Sequence, residues 1–184
     1  MLGTLTLHPD SRSDAVTGIT VEALRPAPGA LQLRYAVTGR IGELVLPAPA
    51  APGRADGLWR HTCFEAFLLT PPDEAYCELN FAPSFAWAVY TFARYRSGMA
   101  QADEIGDVRI GIDSNAERFR LEATLRLDGL PMLPWDRPWR LALSAVIEEQ
   151  GGRLSYWALA HPPGKPDFHH ADCFQLELPA ASRR

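Results

Sequence analysis

Two glutamates stand inside apolar stretches of this chain. Glu65 lies within Cys63-Phe64-Glu65-Ala66-Phe67-Leu68, and Glu78 within Tyr76-Cys77-Glu78-Leu79-Asn80-Phe81. A carboxylate withdrawn from water without a partner is costly or shifts its pKa, so these two must be solvated, paired internally, or holding something. Trp59 precedes the first stretch, and Asn80 belongs to the second. Carboxylates and an amide can hydrogen-bond hydroxyls while an indole covers the apolar C–H face of a sugar ring, so this set suits saccharide recognition. A second stretch, Ser155 to Cys173, answers the first with Trp157, Asp167, Phe168, His169 and His170. Both stretches are expected to border one ligand site.

Such a site requires the two glutamates to face the same way. His61–Leu69 and Tyr76–Ala82 read as strands joined by the turn-rich connector Thr70-Pro71-Pro72-Asp73-Glu74-Ala75. If Thr70 faces Ala75, Glu65 lies opposite Asn80 and Phe67 opposite Glu78. His61, Cys63, Glu65, Phe67, Tyr76, Glu78 and Asn80 then share one face, while Phe64, Leu68, Leu79 and Phe81 turn to the core. A one-residue bulge would destroy this alignment. The plainer reading of the polar face is that Arg60, Arg94 or Arg96 neutralises the glutamates.

The remaining chain reads as short strands between turns. Residues 2–7, Val16 to Leu24, Leu31 to Val37, Ile41 to Leu46, Ala86–Tyr95, Val108–Ile112, Arg118–Leu127, Trp139–Glu148, Arg153–Ala160 and Phe174–Leu178 fit strands. The Ala/Pro segment 47–53 reads as a loop, because proline removes ladder donors. Arg96–Asp107 reads as a long loop, and no segment combines a sustained helical period with caps. The predicted fold is an all-β antiparallel β-sandwich of ten or more strands, one domain over residues 1–184. With 47% hydrophobic and 22% charged residues, the composition is too apolar for disorder. A net charge of −4 gives no case for nucleic acid or an anionic membrane as partner. No apolar run is long enough to cross a membrane as a helix, and the N-terminus lacks the basic start and apolar core of a signal peptide. Cys63, Cys77 and Cys173 are an odd number without C-x-x-C spacing, so buried reduced thiols in the cytoplasm are expected.

Leu58-Trp59 with Glu65-Ala66-Phe67, followed by Tyr76-Cys77-Glu78-Leu79-Asn80-Phe81-Ala82-Pro83-Ser84, resembles the DOMON superfamily, in particular domains related to family 9 carbohydrate-binding modules. Tyr156-Trp157-Ala158-Leu159, Asp167-Phe168-His169-His170 and Phe174-Gln175-Leu176-Glu177-Leu178 are similar to that family's closing segment. The resemblance spans roughly half the chain and implies a β-sandwich binding sugars or, in other branches, a b-type haem. In the sugar-binding branch a terminal saccharide lies between two tryptophans over polar groups of neighbouring strands. Carried over, Trp59 is the first tryptophan, Glu65 the carboxylate and Asn80 the partner-strand amide. Trp157 or Phe168 is the second aromatic wall.

Other chemistries find less in the sequence. A haem would need Met99 with His61, His161, His169 or His170 as axial ligands. His169-His170 and Cys173 are near one another, but adjacent histidines on an extended chain point to opposite sides, which suits zinc poorly. No G-x-S-x-G elbow, Walker loop or HExxH is present. Glu65 with Glu78 as a glycosidase pair is the one catalytic arrangement the spacing allows. The rigid Pro162-Pro163-Gly164-Lys165-Pro166 loop would serve as a lid edge delivering Phe168 and His169. The resulting expectation is a non-catalytic domain, without a required cofactor, that binds a small saccharide or sugar-containing metabolite through Trp59, Glu65, Glu78, Asn80, Trp157, Phe168 and His169. A haem-binding module and a structural or interaction domain are the alternatives.

Overall fold

Alternating side chains explain most of the ladder. In Arg118–Arg126 the odd-numbered positions are apolar and buried, while their neighbours are polar and more exposed, as one strand covering a core on one face requires. The computed structural model describes residues 1–181, so residues 182–184 of the expected domain lie outside it. The strands are β1 (Leu2–Leu7), β2 (Val16–Leu24), β3 (Ala30–Gly39), β4 (Gly53–Arg54), β5 (Cys63–Leu69), β6 (Tyr76–Phe81) and β7 (Ala86–Phe92). They continue with β8 (Ala100–Gln101), β9 (Val108–Ser114), β10 (Arg118–Arg126), β11 (Trp139–Glu149), β12 (Arg153–Ala158) and β13 (Leu176–Leu178).

Hydrogen bonding runs unbroken in the order β4-β7-β6-β5-β11-β12-β1-β2-β3-β10-β9, with β13 on β11 and β8 on β7. All pairings are antiparallel except β4 with β7. The fold is therefore all-β, one curled sheet of thirteen strands among the described residues. β1 makes the continuity: its first residues pair with β2 and its last two with β12. Curling brings β5 over β3 and β10. Phe64 stacks on Phe119 with centroids 5.8 Å apart, and the Tyr35 hydroxyl donates to the Glu65 carbonyl at 2.6 Å. Ile19, Leu33, Leu79, Leu121, Leu143 and Trp139 complete the core around them.

Several boundaries differ from the sequence reading for local reasons. Ile41–Glu43 is a single 3-10 turn rather than a strand, tied by an Arg40–Glu43 ion pair, and only Leu44 forms a bridge, to Glu149. Leu58–Arg60 is another 3-10 turn, so β5 begins at Cys63. The expected 96–107 loop contains the short β8. The three cysteines are buried and free.

Tyr35 is fully buried, and its hydroxyl is the polar contact holding the backbone of Glu65 against the opposite half of the sheet. Tyr35→Phe leaves that buried carbonyl one partner short. It is expected to lower stability by about 1–3 kcal/mol. The measurement is urea unfolding, with a lower midpoint at unchanged slope.

Candidate functional site

The hairpin β5–β6 has the register the connector length predicts. Glu65 opposes Asn80 and Phe67 opposes Glu78. On the other side of β5, Ser144 opposes Glu65 and Val146 opposes Cys63. Alternation then puts Phe64, Leu68, Leu79 and Phe81 in the main core and Glu65, Phe67, Tyr76 and Glu78 on the outer face. That face is not open to water. Residues 159–175 return across it, and Phe168 and Phe174 of this segment join Phe67, Tyr76, Tyr90 and Phe92 of the sheet in a second apolar cluster.

Between this cover and the sheet lies a cavity of about 400 Å³ lined by Trp59, Glu65, Glu78, Phe92, Arg96, Met99, Val146, Tyr156, Pro166, Phe168 and His169. Its size falls within the roughly 300–1,000 Å³ range of small-molecule sites. A hollow of about 950 Å³ lies on the outer side of β3, β9 and β10. There exposed side chains satisfy one another, as where Arg34 bridges Glu22 and Glu122, so it offers a ligand no unmet group. The smaller cavity is the better candidate because its polar groups are buried and incompletely satisfied.

The floor is acidic. Glu65 is 3% exposed; its Oε2 accepts a long 3.4 Å hydrogen bond from the Ser144 hydroxyl, and its Oε1 has no partner. Glu78 is 6% exposed and accepts from the Asn80 amide at 2.8 Å, while Asn80 Oδ1 faces the Cys63 thiol at 3.6 Å. Burial drives the Glu65 carboxyl well above the usual carboxylate range, and the Glu78 charge pushes the same way. Burial also raises Glu78, against the pull of the Asn80 hydrogen bond and the Arg96 charge. Among the described residues no arginine ion-pairs with either glutamate. Arg96 is bound to Asp167 at 2.7 Å instead.

His169 reaches the floor from the cover. The Tyr76 hydroxyl accepts from the Arg96 amide at 3.1 Å and shares a hydrogen bond with His169 Nδ1 at 2.8 Å. His169 Nε2 lies 3.7 Å from Glu78 Oε2. Burial, then the Arg96 charge, pushes the imidazole down to about 4, so it is neutral near pH 7. Asp167 fastens this corner, accepting from Arg96, Tyr95 and the His169 amide. Arg96 itself holds φ at 50°, a left-handed conformation that costs a non-glycine residue stability and recurs at ligand sites. The aromatic walls come from opposite ends of the chain. Gly57, at φ 73°, turns into Leu58–Arg60 and leaves Trp59 at the rim, 39% exposed and edge-on to Tyr90 at 6.2 Å. Phe168 and Tyr156 stand together on the other side, centroids 6.2 Å apart.

Six of the seven sequence-predicted residues meet here, though Asn80 does so behind Glu78 rather than on the lining. Trp157 does not. It opposes Ala145, whose other neighbour is Phe64, so it faces the main core and donates its indole N–H to Ser155 at 3.0 Å. Tyr156, one residue earlier, takes the cavity side. Ser144, Val146, Phe92 and Pro166 were missed, although alternation from Glu65 across β5 and β11 would have found the first two. The arginine expected to neutralise the glutamates is spent on Asp167. His170 points away and caps Asp172, and no group of three or more His, Cys, Asp or Glu able to hold a metal occurs among the described residues.

No protein-family model and no curated protein matches the sequence. Solved structures do match the fold. A candidate carbohydrate-binding protein from Bacteroides uniformis superposes with a TM-score of 0.69, over 95% of this chain and 84% of that one, at 13% identity. A family 9 carbohydrate-binding module from Caldicellulosiruptor kristjanssonii, in complex with cellotriose, superposes with a TM-score of 0.55 over 89% of this chain and 74% of that one, at 12% identity. At such identities the likeness is one of fold.

The raised Glu65 carboxyl has a consequence for stability. The folded protein keeps a proton that the unfolded chain releases above its ordinary value of 4.5, so this contribution is complete below that value and is lost as pH rises. Glu65→Gln has no proton to lose, and His169 is common to both proteins. The melting temperature of Glu65→Gln minus that of the wild type is expected to increase as pH rises from about 5 to about 8 in thermal unfolding scans.

Proposed function

We propose that this chain is a non-catalytic saccharide-binding domain whose site is the cavity between β5–β6 and the 159–175 cover. The observation that carries the reading is the unpartnered Glu65 Oε1 at the floor of an aromatic-walled cavity. A buried acceptor without a partner is a standing cost that a hydroxyl-bearing ligand would remove. Trp59 on one side and Phe168 with Tyr156 on the other offer apolar surface to the faces of a pyranose. Glu65, Glu78 and the His169 corner offer acceptors and a donor to its rim. The fold likeness to a carbohydrate-binding module solved with cellotriose supports the same reading, and with it we carry the DOMON kinship and β-sandwich that the sequence resemblance implies.

Binding without turnover is favoured by the state of the carboxylates. Glu78 is held by Asn80, and burial raises both carboxyl groups, so neither stands ready as an ionised nucleophile. A b-type haem fits these residues poorly. Met99 and His169 do line the same cavity, but the Tyr76 hydroxyl engages His169 Nδ1 and Glu78 faces its Nε2. Three buried, unpaired cysteines favour a reducing compartment such as the cytoplasm.

Isothermal titration with glucose, cellobiose and xylobiose tests the proposal, with Trp59→Ala as control. Because Trp59 is partly exposed, its loss is expected to cost less than about 1 kcal/mol of stability while removing measurable saccharide binding. Unchanged affinity in Trp59→Ala would place the ligand elsewhere, and no heat with any sugar would count against the reading itself.

A further inference from the structure

Four acidic or basic side chains line the cavity: Glu65, Glu78, Arg96 and His169. The Arg96 guanidinium is committed to Asp167 at 2.7 Å. Burial, then the Arg96 charge, keeps His169 as the neutral imidazole. Two buried carboxyl groups therefore share one cavity with no arginine ion-paired to either, and one oxygen of Glu65 has no partner at all. Trp59, Phe92, Tyr156 and Phe168 line the same cavity, and aromatic ring faces attract cations. A neutral sugar would satisfy hydrogen bonds here but leave Glu65 protonated and its capacity for ion pairing unused.

We propose that the ligand carries a protonated amine, an amino sugar being the class that joins this charge to the saccharide shape. The inference rests on the saccharide reading of the same cavity and narrows it. The ammonium group would lie against Glu65 and Glu78 within the aromatic walls, where it gains both ion pairing and cation–π attraction. Arrival of a cation favours ionisation of the floor, so Glu65 gives up its proton to solvent as the amine binds. The Asn80 amide stays on Glu78 and keeps that carboxylate oriented.

The test is isothermal titration with glucosamine, glucose and N-acetylglucosamine, slightly below neutral pH, in phosphate and in MOPS. The expected result is glucosamine binding roughly tenfold more tightly than the other two. Its apparent enthalpy should also differ between the buffers, reporting a released proton. In Glu65→Gln, with folding checked by thermal unfolding, glucosamine should fall to the level of glucose and the buffer dependence should vanish. A double substitution, Glu65→Gln with Glu78→Gln, guards against Glu78 acting alone. Equal affinity for glucose and glucosamine in the wild type would overturn this inference and leave the saccharide reading standing. A glucosamine preference that survives in the double variant would overturn it as well. Failure of all three sugars to bind would overturn both.

Discussion

The structure depends on a conflict within one strand. β5 must supply Phe64, Ala66 and Leu68 to the main core, and the same seven residues carry a glutamate on their other side. Exposing that side would solve the problem at once, yet the chain returns over it and buries Glu65. The cost is only partly offset, by one long hydrogen bond from Ser144. Meanwhile the Glu65 backbone is fixed from the core side by Tyr35, so the side chain cannot withdraw by moving the strand. A carboxyl group is thereby kept in place and incompletely satisfied, as a preorganised binding group should be.

The cover is held by contacts that do not use the floor. Cys173 sends its thiol toward the carbonyls of Ala160 and Asp167, and Arg140 of β11 donates to the Phe174 carbonyl at 2.6 Å. Asp167 gathers Arg96 and Tyr95 from the turn after β7. These ties explain why Arg96, which lines the cavity, forms no ion pair with the glutamates. Removing Asp167 would free that arginine, so the acidity of the floor is maintained from outside it. His169 links the two layers through Tyr76 without bringing a charge of its own.

The part of the site that was legible in the sequence is the part set by a short connector. Between Thr70 and Ala75 the loop length leaves one sensible register, and Glu65, Asn80, Phe67 and Glu78 follow from it. The amphipathic β10 was equally readable, because its polar and apolar residues alternate. β11 and the end of β12 were not. Leu141 to Ile147 is buried on both faces, so polarity does not say which side a residue takes, and Trp157 was placed on the wrong one. Tyr156 and Trp157 differ by one position, and their assignment depends on pairing with β11, which is long-range information. The same holds for Arg96: nothing local announces that Asp167, far along the chain, will claim it. The turn at Ile41–Glu43 was misread for a simpler reason, since a run of three residues carries too little periodicity to separate a 3-10 turn from a strand.

Five tryptophans make the central claim directly measurable, because only one of them lines the cavity. Trp139 and Trp157 are buried in the main core and Trp87 packs under Arg54. The decisive observation is the set of five indole N–H resonances in a ¹⁵N-correlated NMR spectrum, recorded while glucose or glucosamine is added. A site formed by Trp59, Glu65 and the cover predicts that the Trp59 indole shifts in a saturable way while those of Trp139 and Trp157 stay in place. Movement of the Trp157 or Trp139 indole with Trp59 unmoved would contradict it.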